Sequence, residues 1–151
     1  MMTAVRRLML LSVLTAVLAT VAAANLTLTY LLYSIDQPGI SFAGFVPITA
    51  IGSVPFLVTA GFLAWAIRGN RPSAPGEVTR STVVRLRMIT GFGLPFMIIG
   101  GLWSGLAAAL LGLDQGSSAG NAVTVYQFTF LAAVIADVIT LAVALTTRTA
   151  A

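Results

Sequence analysis

Few side chains in this sequence can do chemistry. The 151 residues hold four acids, Asp36, Glu77, Asp114 and Asp137, eight arginines, and no Cys, His or Lys. Without Cys there is no disulfide, thiolate metal ligand or thiol nucleophile. Without His no imidazole can bind a metal or carry a proton at neutral pH. Without Lys there is no Schiff base. A metal site would have to use the four acids with hydroxyls and carbonyls. Asp36 and Asp114, in two separate turns, would form a weak divalent-cation site if those turns met; solvated turn residues are the simpler reading. No catalytic residue, metal or cofactor is expected, and the chain reads as a non-enzyme.

Asp137 is the exception, because it interrupts an otherwise apolar stretch. It lies roughly 15 Å from the near end of that stretch at 1.5 Å per helical residue. An Asp at that depth in a bilayer costs about 2.5–3.5 kcal/mol. Three arrangements would offset the cost. The acid is protonated and hydrogen-bonded to hydroxyls such as Thr15, Thr20, Thr59 or Thr140; it faces a wet cavity as a proton or cation site; or it pairs with a cation on another subunit. A second set, Asn25, Thr49, Ser53, Ser104 and Gln127, shares a depth of roughly 12 Å from the opposite surface. These residues form either a polar vestibule or hydrogen bonds between helices, each worth about 0.6 kcal/mol.

The elements that position these residues follow from composition. Hydrophobic residues make up 58% and charged residues 8%, against about 25% charged in a soluble domain; mean hydropathy is +1.01. A water-soluble fold lacks its charged surface here, so the sequence predicts an integral membrane protein. Crossing a bilayer core takes about 20 apolar residues, and four stretches qualify, at about 8–33, 44–67, 88–112 and 123–147. The expected fold is all-α: one transmembrane domain over 1–151, an antiparallel four-helix bundle with a cytoplasmic loop at 68–87. Arg6 and Arg7 precede the first span, Arg68, Arg71, Arg80, Arg85 and Arg87 lie between the second and third, and Arg148 follows the fourth. All eight therefore fall on one side, and the positive-inside rule places both termini in the cytoplasm. The five central arginines would orient the helices and meet lipid headgroups. The pI near 10.8 is read as that orientation signal and not as nucleic-acid binding.

Arg6-Arg7, an apolar run and Ala22-Ala23-Ala24 also resemble a cleavable signal peptide, but hydrophobicity continues through Leu32. Gly101 and Gly105 give the third helix a small-xxx-small surface for close packing, within the bundle or between copies. Thr49, Gly52, Pro55 and Phe56 in the second span are echoed by Thr90, Gly93, Pro95 and Phe96 in the third, marking kinks or close approaches.

With Arg6-Arg7 before the first helix, Asn25 late in it, Trp65-Ala66-Ile67-Arg68 closing the second and a basic start to the third, the chain resembles the small uncharacterised four-helix membrane protein families common in actinobacteria. The resemblance implies topology and a bacterial cytoplasmic membrane, and no chemistry. The expected role is structural or accessory, with the bilayer and either a second copy or another membrane protein as partner. The competing reading is a proton- or cation-coupled transporter or channel subunit, oligomeric, with Asp137 as the intramembrane site.

Overall fold

The computed structural model describes residues 4–37, 39–70, 78–113 and 117–147. It is all-helical over these residues. Helix α1 spans Ala4–Asp36, a 3-10 turn Phe42–Phe45 leads into α2 at Val46–Arg68, α3 spans Arg80–Leu110 and α4 spans Ser118–Thr146. All four are long and apolar enough to cross a membrane. Helices α3 and α4 begin before their apolar spans because polar caps lie upstream. Thr79 accepts from the Thr82 amide to start α3, and Ser117 accepts from the Gly120 amide to start α4, each satisfying an orphan donor of a first turn. Pro47 lies in the first turn of α2, where its missing N–H costs nothing. Gly112, at φ +60° after α3, takes the left-handed position that ends many helices.

The helices form a ring in chain order. The α1–α4 contact closes it and is the most extensive; α3–α4 is the least. Neighbours are antiparallel: Thr15 meets Thr140 while Asn25 meets Thr129, and Gly52 abuts Ser104 while Gly93 abuts Thr59.

The side chains are distributed inside out relative to a soluble bundle. Leu102, Phe128, Phe92, Ile99 and Leu145 are all more than 60% exposed, while Ser12, Thr15, Thr82, Thr90, Thr140 and Asp137 are fully buried. Alanines 19, 22, 23, 133 and 144 fill the contacts between them. One apolar cluster, with Leu8, Leu63, Leu86 and Ala144, fills the end bearing the described arginines. A larger one, with Leu26, Tyr30, Phe45, Phe56, Met97 and Tyr126, fills the middle and the opposite end.

Candidate functional site

The interior polar residues fall into two groups. The first surrounds the level of Asp137. On α4, Asp137 lies halfway between Phe130, which packs on Gly101, and Ala144, whose carbonyl receives Arg87. By that spacing it stands at about the level of Leu94 on α3. One turn towards the arginine-bearing end, Thr15 Oγ1 and Thr140 Oγ1 are 2.9 Å apart, and Thr140 donates to the Ala136 carbonyl at 2.7 Å. Thr15 is thus the donor within that pair. Ser12 and Thr90 donate to their own helices at Leu8 O and Leu86 O, both at 2.8 Å. Helical hydroxyls commonly bond back to the carbonyl four residues earlier, and here that habit occupies most of the nearby donors.

Asp137 itself is completely buried, and neither carboxyl oxygen has a hydrogen-bond partner among the described residues. The hydroxyls expected to hold it do not. Thr15 and Thr140 bond each other, Thr20 is exposed and donates to Ala16 O at 2.8 Å, and Thr59 packs on Gly93. The Asp137 face of α4 is nevertheless the inward one, with Tyr126, Ala133, Ala136, Thr140 and Ala144 buried beside it.

The second group lies towards the opposite end. Asn25 donates to Thr129 Oγ1 at 3.4 Å, Ser53 to Ala23 O at 3.5 Å and Ser104 to Gly100 O at 2.8 Å. Thr49 Oγ1 is buried and has no partner among the described residues. Gln127 is not part of this layer: it is exposed. Depth alone had grouped it with Asn25, but at 100° per residue Gln127 points well away from its buried neighbour Tyr126. Thr129 meets Asn25 instead. Two tyrosines complete the layer. Tyr30 donates to Ser104 O at 3.5 Å, and the buried Tyr126 stacks on Phe130 with ring centroids 6.2 Å apart. Tyr30 also stacks on Phe45 at 5.4 Å, so the 3-10 turn covers the expected vestibule with an aromatic lid. Each tyrosine lies only three residues inside the end of its apolar span, where interfacial aromatics are ordinary, so the sequence carried no signal that singled them out.

The arginines divide by geometry. Arg6, Arg7, Arg68, Arg80, Arg85 and Arg87 all lie at one end of the bundle; Arg71 and Arg148 are outside the described residues. Arg87 caps α4, donating to Ala144 O at 2.7 Å and Thr147 O at 3.0 Å. Those carbonyls are orphans of a helix C-terminus, where a cation is favoured. Arg87 thus differs from the other described central arginines in bonding to the end of α4. Arg85 sits 4.7 Å above the Trp65 ring, while Arg68 and Arg80 are exposed. At the same end, Asn70 Oδ1 accepts from the Thr79 amide at 3.1 Å, tying the exit of α2 to the entry of α3.

The two glycines of α3 also differ. A Cβ on Gly101 would collide with the Phe130 ring, so Gly101 serves packing inside the bundle; beside Gly105 the space is open. Asp36 is exposed at the end of α1, and Glu77 and Asp114 lie outside the described residues. Among the described residues no group of three acidic side chains comes together.

Comparison with family models, with curated proteins and with solved structures found no match to this chain. The class defined by the fold is a four-helix bundle whose helices could span a membrane.

Proposed function

We propose that the chain is a multi-pass protein of a bacterial cytoplasmic membrane, with a structural or accessory role and no catalytic one. The arginine-bearing end faces the cytoplasm. Exposed large apolar residues along all four helices support insertion, since such a surface far exceeds the patches a soluble monomer tolerates. The gathering of six arginines at one end supports the orientation. The self-bonded threonines and packed alanines support a bundle built for cohesion.

The observation that carries the structural reading is the complete enclosure of Asp137. A carboxylate sealed among helices without a cation is untenable, and the neutral acid is the form that fits. Infrared spectroscopy of the protein in bilayers tests this. A carboxyl C=O band that is lost in Asp137→Asn and persists from pH 5 to 9, with stability changed by less than about 1 kcal/mol, is the expected result. A band that titrates near neutrality would sink it, because water or ions would then reach the site.

One observation favours a second reading. Both carboxyl oxygens lack partners among the described residues, and a buried unsatisfied group in a native fold calls for a reason. In an oligomeric transporter Asp137 would be the proton- or cation-coupling site, reached when the helices part. Proton flux into vesicles that disappears in Asp137→Asn would establish it.

Topology is testable directly because the chain has no Cys. A single Cys at Ser73 should react with an impermeant maleimide only from the cytoplasmic side, and one at Gly39 only from the other.

A further inference from the structure

Helices α2 and α3 part on the outer surface of the bundle to leave a groove of about 650 Å³. Its lining is apolar and includes Val58, Phe62, Phe92 and Phe96, with Pro55 and Gly93. Trp65 and Arg85 stand at the arginine-bearing end. From Trp65 to Val54 the groove follows α2 for about 16 Å at 1.5 Å per residue. Half of a hydrocarbon core roughly 30 Å thick is about 15 Å. The groove therefore matches the depth of one leaflet, with its cation at headgroup level.

Arg85 is arranged to bind an anion there. Its guanidinium carbon lies over the Trp65 ring, 4.7 Å from the ring centroid. A cation–π contact holds the charge over the ring without needing a hydrogen-bond acceptor, so N–H donors remain for an anion. Gly69 gives it room: a Cβ there would come within 3.3 Å of Arg85 Nη1. The described acids are Asp36, at the far end, and Asp137, inside the bundle, so neither competes for it. Arg87 is two residues away and differs in being committed to the carbonyls of α4.

We infer that this groove is a binding site for an anionic phospholipid, one acyl chain lying between α2 and α3 and the phosphate on the edge of Arg85. The inference rests on the membrane reading above, and its test separates the two. Trp65 and Trp103 are the chain's two tryptophans, so Trp103→Phe leaves Trp65 as the only reporter. The protein is reconstituted in phosphatidylcholine vesicles containing tail-brominated lipid, either phosphatidylglycerol or phosphatidylcholine, at equal mole fraction. Bromine quenches a tryptophan it touches. Quenching should favour the anionic lipid, with a relative binding constant about fivefold above that of the zwitterionic one, the attraction expected of one arginine at a membrane surface. Arg85→Gln should bring the ratio close to one, Arg80→Gln should leave it unchanged, and Val58→Phe, which fills the groove, should reduce quenching by both lipids. Glycerol phosphate in the buffer should not alter the preference. Equal quenching by the two lipids would overturn the site while leaving membrane insertion standing. So would a preference that survives Arg85→Gln, one lost equally in Arg80→Gln, or one displaced by soluble phosphate. No quenching by either lipid would overturn the membrane reading itself.

Discussion

The α1–α4 and α2–α3 interfaces solve the same problem by different means. Lipid tails are as apolar as leucine, so burying leucine between helices gains little in a bilayer. Along α1–α4 the answer is hydrogen bonding over alanine. The Thr15–Thr140 and Asn25–Thr129 pairs cross between helices that meet through Ala19, Ala22, Ala133 and Ala136. Along α2–α3 it is the removal of side chains. Gly52 lies against Ser104 and Leu26, Gly93 against Thr59, and Gly100 against the carbonyls of Ile51 and Gly52. Pro55 lies inside α2 and deprives the Ile51 carbonyl of its usual amide partner. Gly100 brings α3 backbone up to that carbonyl: a Cβ there would stand 3.5 Å from it. The glycine-lined interface is tight in its interior and open at its rim, and the groove opens there; the α1–α4 interface holds through polar pairs along its length.

The largest effect should come from breaking the glycine contact. Gly52→Val puts a branched side chain where a single Cβ already meets Ser104 and Leu26, and overpacking of this kind costs about 1–3 kcal/mol. Chemical unfolding in bilayers or mild detergent should show that loss. Gly61→Ala, with open space at its Cβ, should instead stabilise by about 0.5–1 kcal/mol. Equal effects at the two positions would mean that α2 helicity, and not its approach to α3, governs stability.

The α3–α4 contact is the least extensive, and Arg87 strengthens it. Arg87→Ala removes charge-assisted bonds to Ala144 O and Thr147 O, each kind worth about 1.5–3 kcal/mol when buried and less at this partly exposed end. A loss of about 1–2 kcal/mol is expected, with faster hydrogen exchange confined to residues 143–147. Exchange that rises evenly over α4 would show that Arg87 holds the whole helix and not its end.

The smallest effect tests the polar interface. A double-mutant cycle with Thr15→Val and Thr140→Val should give a coupling of about 0.6 kcal/mol. A coupling indistinguishable from zero would transfer the α1–α4 interaction to its alanines and remove the distinction between the two interfaces.

The sequence alone determined what depends on length, composition and order. Four apolar stretches, the turns between them and arginines confined to alternate connections were legible because the length of an apolar stretch and the placement of charge are written along the chain. Helix ends were legible only in part: α3 and α4 begin at Arg80 and Ser118, turns before their apolar spans, through caps at Thr79 and Ser117. Rotation about each helix axis was decided by the tertiary structure. Outward residues here are as apolar as inward ones or more so, so the usual amphipathic signal of a helix face is missing. Depth placed Asn25 and Gln127 together, and packing turned Thr129 to Asn25 and Gln127 outward. Spacing made Gly101 and Gly105 equivalent, and Phe130 chose one of them. Charge made Arg85 and Arg87 alike, but α4 occupies Arg87 while Trp65 and an open groove adjoin Arg85. The aromatic cover of Phe45 on Tyr30 joins α1 to a turn that no periodicity marks. Such choices are settled by which helix lies alongside, and that information exists only once the ring has closed.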